Sequence, residues 1–277
     1  MAIINVRVLF FVTLWCANFI SADDFFTPPF RIFKRMKRIL FVEDANGKKF
    51  ILKYPRTPDN ALHDALGAYV GKALGININD VQIFPPHEPS LSSVDIWPDQ
   101  MKTLHAFVPG TEIRKMTKSL KYFTLKGGLC TKIKLENITK HTDLYKIMAL
   151  DIFLNNADRH NGNIFYDEIN NHYYAIDMDA LFSRKGLIAT RAGNFIKNFD
   201  KKRLSQKEKA VLKKLQIFLD HLMAEFPPER LCELKKELAA QAQYKYTELE
   251  QNTFQKLIEY NFSELKRLQR RLHRLLA

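Results

Sequence analysis

Cysteine is almost absent from this chain of 277 residues: there are three, at Cys16, Cys130 and Cys232. So few cannot build a disulfide framework, and no Cys/His group has zinc spacing. Glycine is scarce as well, with 10 residues, and no glycine-rich phosphate loop stands out; only Gly47 falls in the first hairpin-like stretch. Acidic side chains are the minority charge, 30 against 43 Lys and Arg, which leaves +13. That excess favours polyanionic partners: nucleic acid, an anionic membrane surface or phosphorylated ligands. No base-reading motif accompanies it, so no nucleic acid is expected as a partner. With 46% hydrophobic and 12% aromatic residues the chain can bury a core, which excludes whole-chain disorder.

Long apolar runs are confined to the start. "VLFFVTLWCANFI" followed by "SADD" reads as an export signal over residues 1–22, with cleavage expected after Ala22. The run is shorter than the ~20 residues a membrane helix needs. An uncleaved anchor and a buried first helix are the competing readings. Export leads to the outside of the cell, to a secretory lumen or, from a bacterium, into a host cell.

From Arg38 to Pro55 the pattern is a β-hairpin. Ile39–Val42 and Phe50–Leu52 are strand-like, Asn46-Gly47 is a favoured tight turn, and Lys53 leaves the second strand. A helix follows, with Pro58 at its start and Leu62, Ala65, Leu66, Tyr69 and Ala73 at helical spacing, ending at Gly75. Asp64 lies off that stripe, on the side of Gly67, Ala68 and Gly71. The β-rich part breaks at Pro109-Gly110. A buried helix is expected over 142–155, a strand in "HYYAIDMDALF", and mostly helix after Lys201. The expected architecture is α+β and two-lobed: an N-lobe over 23–109, a C-lobe over 110–200 and a helical extension over 201–277.

The polar residues crowd into "ADRHNGN" at the end of that buried helix. Phosphoryl transfer needs a carboxylate for the acceptor hydroxyl, oxygen ligands for magnesium and a cation for the phosphates. Asp158 sits on the irregular segment, Asn163 follows five residues later, and Asp177 ends the next strand. Asp177 and Asn163 can converge on one Mg2+, and Lys53 can reach the phosphates of ATP. A capped helix end would instead use Asp158 and Asn163 for backbone amides.

"DRHNGNIF" followed by "AIDMD" resembles the catalytic and metal-binding loops of the phosphoinositide 3-/4-kinases, and "LDIFLNNADR" with "AIDMDALF" resembles the type II phosphatidylinositol 4-kinases in particular. HipA-type serine/threonine kinases and Golgi-lumen secretory kinases carry similar Asn-x-Asp-Arg-His turns. The resemblance is sharp from Leu150 to Phe182, fainter from Lys53 to Gly110 and absent beyond about Arg191. It implies a kinase-like fold and the cofactors ATP and Mg2+. It implies Asp158 as the catalytic aspartate, His160 as a stabiliser of phosphoryl charge, and Asn163 and Asp177 as metal ligands. Lys53 would hold the phosphates, paired with Asp64, and Arg159 would brace the loop through a carboxylate. Asp179 stands where many relatives have glycine: either, as residue i+2 of a strand, it shares a face with Asp177 and adds a second metal ligand, or the metal loop is altered. Asp64 replaces the longer Glu usual in kinases.

A phosphoinositide is the first acceptor. Net charge fits an anionic membrane, Arg184, Lys185 and Arg191 follow the metal strand, and "FSELKRLQRRLHRLLA" makes a basic amphipathic helix that either lies on a membrane or packs on its own domain. A protein serine/threonine kinase and a non-catalytic kinase-like module binding a nucleotide or a phosphorylated partner are the alternatives.

Overall fold

The computed structural model describes residues 25–113, 142–182 and 204–277. The leader over 1–22, Cys130, Arg184, Lys185 and Arg191 lie outside them.

Five antiparallel strands form the first sheet: β1 (Arg31–Met36), β2 (Ile39–Glu43), β3 (Lys49–Lys53), β4 (Val81–Phe84) and β5 (Lys102–Ala106), in the order β1-β2-β3-β5-β4. Alternation along β2 and β3 sends Leu40, Val42, Phe50 and Leu52 to one face, where Phe25, Phe26, Phe30, Leu91 and Leu104 complete a core. Burying each such side chain contributes about 1.5–3 kcal/mol. The register pairs Phe41 with Ile51 and Ile39 with Lys53, so these four share the opposite face. Asn46-Gly47 does turn the chain, but within the longer loop 44–48. There Asp44 Oδ1 accepts from Asn46 N (3.0 Å) and Lys48 N (2.8 Å), and Gly47 takes φ +78°. Arg31, Lys34 and Arg35 lie in the sheet: β1 is a fully exposed edge strand.

Helix α1 (Pro58–Ala73) starts at Thr57, whose hydroxyl accepts from Asn60 N at 3.2 Å, with Pro58 in its first turn. It is buried on nearly every side. The face bearing Gly67 is a close approach: a Cβ there would sit 2.6 Å from Met178 Cβ. Helix α2 (Thr142–Phe153) is buried from Ile147 onward. A second sheet of β6 (Thr111–Glu112), β7 (Ile164–Asp167) and β8 (His172–Ala175) carries the residues beyond α2, and Ile78 bridges Ala175.

Three helices follow: α3 (Gln206–Glu225), α4 (Pro228–Gln241) and α5 (Glu248–Leu276). Capping boxes at Ser205/Glu208 and Thr247/Glu250 start α3 and α5. Phe254, Ile258, Phe262, Leu265, Leu268, Leu272 and Leu275 of α5 are all buried in the main core, and Asn261 Nδ2 reaches back to Phe153 O at 2.7 Å. The amphipathic stripe of α5 therefore packs on its own domain and is not free to lie on a membrane. Among the described residues no helix is long and apolar enough to cross one.

Candidate active site

Lys53 projects from the sheet face opposite the Phe50/Leu52 core. Its Nζ lies 2.8 Å from Asp177 Oδ1 and 3.2 Å from Asp64 Oδ2. Burial alone would lower the Lys53 ammonium, but Asp64 and then Asp177 outweigh it and hold it above the ordinary lysine value. Asp64, one turn into the buried part of α1, is shorter than the Glu of most kinases and still makes the pairing. Its Oδ1 accepts from Met178 N at 2.8 Å, and its Oδ2 also faces His105 Nε2 at 3.3 Å. Asn79 Nδ2 donates to His105 Nδ1 (2.8 Å), which leaves the ring proton on Nε2, toward Asp64 and Thr103. Burial pushes the Asp64 carboxyl up; Lys53 and His105 more than cancel that and hold it far below the usual carboxylate range.

The polar turn is built from α2 outward. Asp151, buried in α2, accepts from Arg159 Nε (2.9 and 3.1 Å) and from Asn156 Nδ2 (3.0 Å). Arg159 Nη1 donates to Asn163 O (2.7 Å) and Ile176 O (2.5 Å), so one guanidinium ties α2 to both polar loops. Asp151 is thus the carboxylate partner expected for Arg159. Asp158 has its backbone fixed at both ends, its N–H donating to Asn156 Oδ1 (3.0 Å) and its carbonyl accepting from Asn163 Nδ2 (3.1 Å), while the residue itself stays exposed. His160 caps the short 3-10 turn Asn161–Asn163, Nδ1 accepting from Gly162 N at 2.9 Å.

Asp177 is half-exposed and adopts φ +62°, a left-handed conformation costly for a residue with a Cβ. Strand β8 has already ended at Ala175, so Asp177 and Asp179 are not residues i and i+2 of a strand. That geometric ground for a shared metal face fails. Asp179 lies near the cluster nonetheless. Burial first, then the charges of Asp177 and Asp64 and more weakly Asp158, push its carboxyl up to about 6. Its backbone carbonyl accepts from Asn60 Nδ2 at 3.0 Å.

The structure therefore brings Lys53, Asp64 and Asp177 into direct contact, sets Asp179 and Asp158 within electrostatic reach, and ties Asn163 to Asp158. His160 sits on the same turn. Among the described residues no three His, Cys, Asp or Glu converge as a ready metal cage. The donors suit magnesium of the kind that keeps water and phosphate ligands and needs one or two protein oxygens. With Nδ2 of Asn163 engaged, its Oδ1 is the atom left to coordinate, and crowded acids near Asp177 gain from a divalent cation. Sequence reasoning passed over Asn60, His105, Asp151 and Asn156; burial marks the last three and the hydrogen bond to Asp179 marks Asn60, and only the fold supplies either.

No protein-family model and no curated protein matches the chain. Among solved structures it is similar to the Helicobacter pylori proinflammatory kinase CtkA, with TM-score 0.52 and 10% identity over 90% of this chain and 100% of that one. It also aligns with HipA of the Shewanella oneidensis MR-1 toxin–antitoxin system, solved with HipB and operator DNA, at TM-score 0.47 and 12% identity over 88% of this chain and 67% of that one. The fold is kinase-like: an antiparallel sheet in the N-terminal part and helices toward the C-terminus.

Proposed function

We propose that this chain is a phosphotransferase that moves the γ-phosphoryl group of ATP to an alcohol. The observation that carries the reading is the Lys53–Asp64–Asp177 cluster, 2.8 and 3.2 Å across its two ion pairs, beside an exposed Asp158 whose backbone is pinned at both ends. The sheet face that bears Lys53 also presents half-buried Ile39, Phe41 and Ile51 and exposed Phe33 and Met36, an apolar bed suited to a nucleobase.

In this reading Asp158 orients the acceptor hydroxyl and takes its proton while the new O–P bond forms and the bond to the ADP oxygen breaks. Lys53 leaves Asp177 for the phosphates and keeps Asp64. His160 lies beside the transferred group. Asp177 and Asn163 would hold Mg2+, with Asp179 adjacent, and the ion would neutralise phosphate charge.

The acceptor is a hydroxyl of one of two kinds. A phosphoinositide is supported by the loop resemblance and by the +13 charge. A protein serine or threonine gains ground because the α5 stripe is folded into the core, which removes one argument for a membrane. Export through the leader stays part of the proposal. The purified protein is incubated with labelled ATP, Mg2+, liposomes carrying phosphoinositides and, separately, a protein mixture. Label transfer in one arm identifies the acceptor. Asp177→Asn should cut that transfer roughly a thousandfold or more, several kcal/mol of barrier, in a folded protein. Full activity in the folded variant turns the reading toward a non-catalytic nucleotide- or phosphate-binding module.

A further inference from the structure

The helical extension packs on the back of α1, and one of the side chains it places there is a buried cation. Lys235, in the middle of α4, is 1% exposed, a rare state for lysine. Its ammonium is ion-paired with Asp59 Oδ1, lies 3.1 Å from His63 Nε2 and sits 3.8 Å above the Phe254 ring of α5. Asp59 and His63 are one turn apart on α1, at the end that also carries Asp64. The His63 ring is stacked edge-on against Phe182 at 5.6 Å. Asn60, between Asp59 and His63, donates to the Asp179 carbonyl at 3.0 Å.

Resting on the phosphotransfer reading, we propose that Lys235 is a positioning residue: it clamps the first turns of α1 from behind, and through His63 and Asn60 fixes the 177–182 segment against Lys53. The chain of contacts is continuous. Lys235 holds Asp59 and His63; His63 packs on Phe182 and Asn60 holds Asp179 O; Asp64 on the same helix holds Met178 N and Lys53. Between Lys235 on α4 and Lys53 on β3, every link lies on α1 or within residues 177–182. A buried, paired charge is a poor source of stability compared with an apolar residue of similar size, so fold stability alone does not account for a lysine here. It is, however, directional: the ammonium has donors for both Asp59 and His63, and an apolar side chain has none.

The test is Lys235→Met in the full-length protein, with Asp59→Asn as a second variant at an exposed position that cannot collapse the core. Hydrogen–deuterium exchange is followed over 57–64 and 177–182, alongside the magnesium dependence of phosphoryl transfer and thermal melting. The expected result is a melting temperature within a few degrees of wild type, faster exchange in both segments, and at least a threefold rise in the Mg2+ concentration for half-maximal rate. A residue that only supports the fold would shift melting and leave the magnesium midpoint in place. Unchanged exchange in both segments of folded Lys235→Met and Asp59→Asn overturns the clamp. Absence of transfer by the wild type would instead count against the phosphotransfer reading, and the exchange data would still decide the clamp.

Discussion

Lys53 Nζ lies closer to Asp177 Oδ1 (2.8 Å) than to its helix partner Asp64 Oδ2 (3.2 Å). The lysine neutralises the carboxylate that the proposed reaction assigns to the metal, so loading the site is an exchange of partners. Lys53→Met should then do two things. It should weaken nucleotide binding, and it should leave Asp64 buried with only His105 and Met178 N for partners, at a cost on the order of 3 kcal/mol. Lys53→Met/Asp64→Asn should recover much of the stability and none of the binding. Urea denaturation and a fluorescent-nucleotide titration separate the two effects; a single variant with undiminished nucleotide affinity would remove Lys53 from the site.

Asp179 has its carboxyl pushed up to about 6 by burial and by Asp177. The sign follows from linkage: the folded state holds this proton more tightly than the unfolded one, so the group subtracts stability as pH rises from about 4 through 6. Asp179→Asn should therefore melt higher than wild type at pH 7.5 and no differently near pH 4. A gain that is equal at both pH values would mean the effect is not electrostatic.

His63 runs the other way. Burial, then the charge of Lys235, lower its imidazole to about 4. The unfolded chain takes up a proton near 6.5 that the folded one refuses, so stability is lost as pH falls from about 6.5 toward 4, by up to about 3 kcal/mol. His63→Gln should flatten that slope in denaturation curves collected across the window. In the wild type the Asp179 and His63 effects oppose each other, so as pH falls from about 6.5 to 4 the stability of Asp179→Asn should drop more steeply than wild type and that of His63→Gln should drop less.

Much of the hairpin, α1 and α2 was legible in the chain, as was the grouping of Lys53 with Asp177. Their signals are local: alternating apolar residues around Asn46-Gly47, a helical stripe after Pro58, and polar residues at the end of an apolar helix. What was not legible depends on separation or on an unexpected backbone. Lys235 and Asp59 are 176 residues apart, and nothing in "LKKEL" marks which lysine is buried. Asp177 looks like a strand residue because "YYAI" precedes it, yet its φ of +62° breaks the alternation. The α5 stripe has the same spacing whether a membrane or a protein core covers it; only packing decides.

Gly67 tests how tightly α1 is set on the 177–179 segment. Its missing Cβ would stand 2.6 Å from Met178 Cβ and 3.0 Å from Met178 Cγ, near the root of that side chain rather than at its flexible end. Gly67→Ala should cost about 1–3 kcal/mol through overpacking and displace Met178, whose N–H is held by Asp64. Turnover should fall at least tenfold. A variant with wild-type melting and turnover would show that the interface yields freely.

The single Asp64 carboxylate is bonded to β3 through Lys53, to β5 through His105 and to the chain after β8 through Met178 N. Three stretches distant in sequence are thereby riveted at one point on α1. An opening motion that parted the sheet from the Asp177 segment would have to break either the Met178 bond or the Lys53 and His105 pairs, in a buried place. The pliable element is instead β1, bonded only along β2 and exposed throughout. A motion that leaves the Asp64 bonds intact would lift this edge rather than swing two halves apart.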